Sequence, residues 1–165
     1  MNEADAENFL NALAAPGQPE PVFAALDALV RREVGAKLFT VMSYDASTKM
    51  ARRAYTSHAS VYPAAGEKPL SEGAWSRTVI EQRLPFVANS IEAIAEVFPD
   101  HALIASLGCA SVVNWPVQFD GAVIGTVNAL DVAGHYTPER VTRFSALAPF
   151  CALAMVAARL GPGRT

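Results

Sequence analysis

The chain has little of several features that mark common functional classes. It contains two cysteines, Cys109 and Cys151, too few for a disulfide framework. Its 13 Lys and Arg residues are outnumbered by 16 Asp and Glu residues, and the sequence has no basic stripe that could contact a nucleic-acid backbone. The nearest basic feature, Arg52-Arg53, is expected on a solvated strand edge. No uncharged apolar run reaches about 18 residues, so we expect neither a nucleic-acid partner nor a membrane span.

Signatures of common catalytic and metal sites are also missing. The three histidines, at positions 58, 101 and 135, do not have ligand spacing such as H-x-x-x-H, so no metal site is predicted. No G-x-S-x-G motif and no phosphate-cradling glycine loop occurs, and no cofactor is identified. The N-terminal stretch M-N-E-A-D-A-E is acidic and is unlike a secretory signal, so a cytoplasmic location is expected.

What the chain does have is enough apolar material for one sizeable core. Its 165 residues are a single-domain length, and 52% of them are hydrophobic. We expect an N-terminal helical extension over residues 1–18, with a helix over 3–14, and a single domain over 19–162. A second helix over 20–34 is predicted by apolar residues at spacings of three and four, and Gly35 is placed to end it.

The middle of the chain alternates strands with loops and short helices. Strands are predicted over 37–44 and 50–57, paired antiparallel, and over 85–88. The long loop 57–71 is of a length that is often functional. Ser71 is predicted to cap a helix that runs to Gln82, and two helical turns over 90–107 are separated by Phe98–Asp100.

The last helix, over 138–160, is apolar on nearly every side. Thr137 and Pro138 are typical of a helix start, and no charged residue occurs from Phe144 to Ala158. Pro149 should kink the helix because it removes a backbone hydrogen bond. Such a helix must be buried nearly all round. Either it packs only on the sheet and the N-terminal helix, or a partner subunit also covers it, in which case a homodimer forms through 20–34 and 138–160.

The most informative stretch is Ser111–Asp131, two apolar strands joined at Asp120-Gly121, a strong hairpin signal. Its order of small polar residue, apolar run, Pro, turn and apolar-Gly-apolar resembles the central hairpin of GAF domains. Gly73-Ala74-Trp75 and the Pro85–Ala88 strand support the resemblance, which covers about residues 20–160. It implies an α+β, PAS-related fold: a central antiparallel sheet of five or six strands, terminal helices on one face, and a ligand pocket under loops and short helices on the other. PAS-like domains, the alternative, usually lack the paired terminal helices.

Strand alternation divides the hairpin's side chains between the two faces. One face should carry Trp115 under the terminal helices. The other should border the pocket with Val112, Asn114, Thr126 and Asn128. A buried Asn must be hydrogen-bonded. The two asparagines therefore either contact a ligand or hold a loop in place by hydrogen bonds to its backbone.

Three further side chains belong to the loops that would cover the pocket. Trp75 and Tyr62 are predicted as pocket walls, with Tyr55 and Phe98 on the same loop face, although Trp75 and Phe98 could instead plug the space between helix and sheet. His58, in the long loop, is a predicted ligand contact.

One enzymatic branch of the family is the free methionine-(R)-sulfoxide reductase, which uses thiol chemistry beside pocket carboxylates. Compared with that pattern, the acidic positions fall on Val112, Asn128 and Leu130, and one expected cysteine falls on Trp75. Cys109 is the remaining weak catalytic candidate, three residues out of register, and its position favours a small buried hydrophobe over a functional thiol. These departures favour binding over catalysis.

The sequence therefore predicts a small-molecule-binding sensory or regulatory module. Its ligand would be an unknown small organic molecule, and it would act through a dimer or a signalling protein. Two alternatives stay open. One is a small enzyme on the same scaffold that uses Cys109 or His58. The other is a structural or interaction module whose pocket is filled by its own side chains.

Overall fold

A computed structural model describes residues 2–64, 66–70 and 72–161. Its elements are α1 (Glu3–Ala14), α2 (Glu20–Glu33), β1 (Leu38–Asp45), β2 (Met50–Thr56), β3 (Lys68–Pro69), α3 (Ala74–Ser76) continued by a π-helical turn (Arg77–Glu81), β4 (Phe86–Ala88), α4 (Ile91–Ala95), α5 (His101–Ser106), β5 (Ser111–Phe119), β6 (Ala122–Asp131), α6 (Pro138–Ser145) and α7 (Ala148–Leu160). The predicted cap at Ser71 and the domain ends at 1 and 162 lie outside the described residues.

The strands form one six-stranded antiparallel sheet in the order β3-β2-β1-β6-β5-β4. The α+β architecture predicted above is therefore confirmed. The main core lies between the sheet and the long helices α1, α2, α6 and α7, where residues of β1, β5 and β6 pack against residues of all four helices. The short helices α4 and α5 cover a second, smaller cluster that includes Val112 and Leu130.

The central hairpin has the predicted turn. Asp120 and Gly121 both adopt positive φ, 48° and 72°, which matches the two-residue turn of a tight hairpin. The pairing of β5 with β6 sets Asn114 directly opposite Asn128 and Trp115 opposite Val127. The register thus brings the two asparagines together on one face of the sheet.

The C-terminal helix differs from the prediction. It is two helices, α6 and α7, joined at Ala146 and Leu147 and bent by 52°. Pro149 lies in the first turn of α7 rather than inside a continuous helix, because the first turn has no intrahelical bond for a proline to remove. Thr137 precedes α6 but makes no side-chain cap. Among the described residues no single helix could span a membrane by length and hydropathy; α6 and α7 meet the test only as a bent pair.

The N-terminal helix packs on the same core as the rest of the chain. Phe9 of α1 meets Phe150 of α7 edge to face, with ring centroids 5.0 Å apart. The buried carboxylate of Asp5 pairs with Arg32 of α2 at 2.5 Å. The helix of the predicted N-terminal extension, α1, is therefore docked on α2 and α7.

Gly125 lies where the sheet and α7 approach most closely. It pairs with Ser43 on β1 and with Val117 on β5, next to a register shift in β5. A Cβ at this position would lie 2.0 Å from the carbonyl oxygen of Met42 and 2.3 Å from the terminal methyl of Met155. A side chain would therefore force the central strands or α7 apart.

We predict that Gly125→Ala lowers the free energy of unfolding by about 3 kcal/mol, since the clash is with backbone as well as with a side chain. The matched control is Gly66→Ala, because a Cβ there meets nothing within 4 Å. Urea unfolding followed by circular dichroism measures both. Equal midpoints for the two variants would contradict the close packing at Gly125.

Candidate functional site

A cavity of about 330 Å³ lies against the face of the sheet opposite the terminal helices. Its floor is formed by β1, β2, β5 and β6, and its cover by Tyr62, the β3 region, Trp75 and the segment from Val97 to Ile104. Apolar side chains make most of the wall: Met42, Ala51, Leu70, Val97, Phe98, Pro99, Ile104, Val112 and Leu130. A largely apolar concavity with a few polar groups is typical of small-molecule sites.

The floor carries a chain of polar side chains that crosses three strands. Asn114 on β5 donates to the Asn128 oxygen on β6 at 2.7 Å, and Asn128 donates to the Thr40 hydroxyl on β1 at 3.1 Å. The indole N–H of Trp75 donates to the Asn114 oxygen at 3.0 Å. Both asparagines are 5% exposed. Each amide has two N–H donors and uses one of them here, so each retains a donor for a bound molecule.

A second polar pair lies beside this chain. The hydroxyls of Tyr44 and Thr126 are 3.1 Å apart, and both side chains are buried. Burial raises the pKa of Tyr44 well above its usual range, so its hydroxyl is neutral at ordinary pH. The Tyr44 ring meets the Trp75 ring edge to face, with centroids 6.1 Å apart. The Trp75 indole is thereby held by a hydrogen bond to Asn114 and by the ring of Tyr44.

Arg53 of β2 forms a cluster with two side chains of the cover, Tyr62 and Asp100. The guanidinium carbon of Arg53 lies 3.8 Å from the centre of the Tyr62 ring, and the Tyr62 hydroxyl donates to the carboxylate of Asp100. Burial, with Asp100 beside it, raises the pKa of the Tyr62 phenol, which therefore stays protonated. This contact joins the long loop to the segment just before α5, so the two covering segments act as one wall.

Six of the predicted site residues line this one cavity: Tyr62, Trp75, Val112, Asn114, Thr126 and Asn128. The side-chain parity derived for the hairpin is confirmed, because Trp115 stacks on Phe144 of α6 at the opposite face, with ring centroids 5.4 Å apart. His58 does not line the cavity. Its Nδ1 is 2.8 Å from the Ser57 hydroxyl at the end of β2.

Cys109 is not at the rim of the cavity, where the sequence placed it. It is 1% exposed and packs in the smaller cluster with Leu38, Ile104 and Leu130. Burial, and then the charge of Asp131, raises the pKa of its thiol, which opposes formation of the nucleophilic thiolate. Within the described ranges, no three His, Cys, Asp or Glu side chains are grouped so as to hold a metal ion.

Two sequence-based placements in β2 are wrong, and a bulge explains that of Tyr55. Val41 pairs with Tyr55 and Met42 pairs with Arg53, so Ala54 is an extra residue that reverses the alternation. Tyr55 consequently turns to the helix side, where it contacts Phe23 and Phe39. Arg53 precedes the bulge and lies two residues after Ala51, so ordinary alternation places it in the cavity instead of on a solvated edge, whereas Arg52 is exposed.

The sequence reasoning missed the contribution of β1 to the site. Thr40, Met42 and Tyr44 line the cavity at alternate positions of that strand. The same alternation that assigned the hairpin faces could have found them once β1 was placed beside β6. Asp100 gave no comparable signal, because its partner Tyr62 is 38 residues away in the chain.

Comparisons with known proteins agree with this geometry. A family model described as GAF domain matches residues 23–156. No curated protein matches the sequence. Among solved structures, the GAF domain/HD domain protein from Geobacter sulfurreducens has a TM-score of 0.70 at 15% identity, over 91% of this chain and 100% of that one. The GAF domain of a phosphoenolpyruvate-protein phosphotransferase from Coxiella burnetii has a TM-score of 0.69 at 15% identity, over 95% and 94%.

A third similar structure is the GAF domain of a two-component sensor histidine kinase from Bacillus halodurans. Its TM-score is 0.67 at 13% identity, over 88% of this chain and 98% of that one. At such identities the similarity concerns the fold alone.

We predict that Asn128→Leu lowers the free energy of unfolding by about 1–3 kcal/mol. The substitution leaves the buried amide of Asn114 and the hydroxyl of Thr40 without their partner. The control is Gln118→Leu, which removes an exposed amide from the same hairpin. Chemical denaturation compares the two. A loss no larger for Asn128→Leu than for Gln118→Leu would mean that the polar chain does not stabilise the floor.

Thiol reactivity tests the placement of the cysteines. Cys109 and Cys151 are both buried, and burial raises the pKa of Cys151 to about 12. We predict slow labelling of both by a maleimide at neutral pH in the native protein, and rapid labelling in denaturant. Because the pKa shifts are upward, native labelling should accelerate only as the solution becomes alkaline. Fast labelling of native Cys109 at neutral pH would contradict its burial.

Proposed function

The chain belongs to the GAF domain family, and we propose that it is a sensory or regulatory module that binds a small organic molecule in the cavity. One observation carries the proposal: about 330 Å³ of space lies above a polar floor whose amides retain hydrogen-bond donors. Pockets of about 300–1,000 Å³ suit small ligands. The remaining space argues against the alternative in which the protein's own side chains fill the pocket.

The geometry favours binding over catalysis. Cys109, the candidate nucleophile, is absent from the cavity wall, and so is His58. Among the described lining residues the carboxylate is that of Asp100, and it accepts a hydrogen bond from Tyr62. Ligand binding would instead tighten the Tyr62–Asp100 contact between the long loop and the segment before α5. A partner protein could recognise that change.

We extend the proposal to a homodimer formed through α2, α6 and α7. α7 is covered on one side by the sheet and α2 and in part by α1, yet Leu153 and Leu160 remain 46% and 81% exposed. A second copy of the chain would remove these leucines from water, as the sequence predicts for a helix with so few charges. A signalling protein would then be contacted by the dimer. Both cysteines are free thiols, which supports placing the protein in the cytoplasm.

Native mass spectrometry of the purified protein, after incubation with a cell metabolite extract, tests ligand binding and subunit number together. We expect a dimer that carries a small organic molecule. Val112→Phe, which fills the cavity from β5, should abolish the added mass, whereas the control Val132→Phe, at an exposed valine, should retain it.

Two outcomes would contradict this function. One is wild-type protein with no added mass. The other is Val112→Phe protein that is folded and still carries the molecule. A monomer that binds ligand would overturn the dimer alone.

A further inference from the structure

Arg53 has a buried hydrogen-bond donor that no described residue accepts. Its side chain lines the cavity from β2, and one of its terminal nitrogens, Nη1, donates to the Pro63 carbonyl at 2.7 Å. Its Nε is inaccessible to solvent and has no partner among the described residues. A buried donor without an acceptor is costly. Because Nε is closed to solvent, a molecule in the cavity would meet the guanidinium first through Nη2, which no described residue accepts from.

The guanidinium is also oriented before any ligand arrives. It is stacked on the Tyr62 ring, and Tyr62 is held by Asp100. Stacking on an aromatic face and recognition of planar anions are the two roles for which Arg is better suited than Lys. A carboxylate matches the fork geometry of a guanidinium and forms short, charge-assisted hydrogen bonds with it.

The charges around the cavity favour a single negative charge on the ligand. In the part of the chain that the structure describes, the charged lining residues are Arg53, Lys68 and Asp100, two cations and one carboxylate. Lys68 is exposed, while the Asp100 carboxylate already accepts a hydrogen bond from the Tyr62 hydroxyl. Most of the other lining residues are apolar, and the polar ones, the amides of Asn114 and Asn128 and the hydroxyls of Thr40, Tyr44 and Thr126, are neutral and lie on the strands of the floor.

We propose that the molecule bound here is an organic monocarboxylate with an apolar body. Its carboxylate would accept from Arg53, its body would pack against Trp75 and Phe98, and any polar far end would meet Asn114 and Asn128. This inference rests on the proposed function, because it names the chemical class of the ligand for the same cavity.

Matched probes test the charge requirement. One set is phenylacetate, phenylacetamide and phenethylamine; the second is octanoate, octanamide and octylamine; phenyl phosphate represents a dianion. The chain has two tryptophans, so a Trp115→Phe background leaves only Trp75, which lines the cavity. Binding is read out as a change in Trp75 fluorescence. We expect at least one carboxylate to bind about tenfold or more tightly than its amide, its amine and the phosphate.

Variants at two adjacent arginines locate the effect. Arg53→Gln should weaken carboxylate binding about tenfold or more, and Arg53→Lys should restore only part of the loss, because it keeps the charge but not the fork. Arg52→Gln, which removes an exposed charge from the same strand, should change nothing. Near-ultraviolet circular dichroism and the unfolding midpoint of each variant without ligand show whether it is folded; if Arg53→Gln is not folded, Arg53→Lys decides.

The inference is overturned if neither carboxylate binds, if an amide, an amine or the phosphate binds as well as its carboxylate counterpart, or if folded Arg53 variants bind like the wild type. Failure of the proposed function looks different. A neutral or cationic molecule found by native mass spectrometry would contradict the carboxylate inference but not the binding function. If native mass spectrometry found no bound molecule, both the inference and the proposed function would be contradicted.

Discussion

The hydrogen-bonded chain from Trp75 through Asn114 and Asn128 to Thr40 is the constraint on which the site depends. It links a helix of the cover to three adjacent strands, so the floor of the cavity and one of its walls are held together. Polar groups buried at this depth must be paired, and pairing with one another leaves each amide a donor to spare. The floor is thus rigid and still able to receive a ligand.

The opposite face of the same strands is closely packed by the long helices. There Trp115 stacks on Phe144, and Gly125 lets α7 and β1 approach so closely that a Cβ at this position would clash. Four long helices cover this face with a continuous apolar core. On the other face short helices and a long loop cannot fill the same volume, and a cavity results.

The sequence predicted those parts of the fold that depend on neighbours in the chain. Asp120-Gly121 gave the hairpin, and its alternation placed Asn114, Asn128 and Trp115 on the correct faces. The bulge at Ala54 could not be foreseen, because it is set by the pairing of β2 with β1, and it turns Tyr55 to the helix face. The contact of Tyr62 with Asp100 was equally inaccessible, since it depends on how two distant segments fold over the sheet. Predicted ligand contacts on the hairpin therefore line the cavity, while His58 and Cys109 in the flanking segments do not.

A crystal structure of the protein purified from cells and soaked in metabolite extract tests the central claim most directly, that the amide-lined cavity holds a small molecule. The expected result is electron density for an organic molecule within hydrogen-bond distance of the Asn114 or Asn128 amide. A cavity that contains only water after that treatment, or that is closed by Trp75, Tyr62 or other side chains of the protein itself, would contradict it.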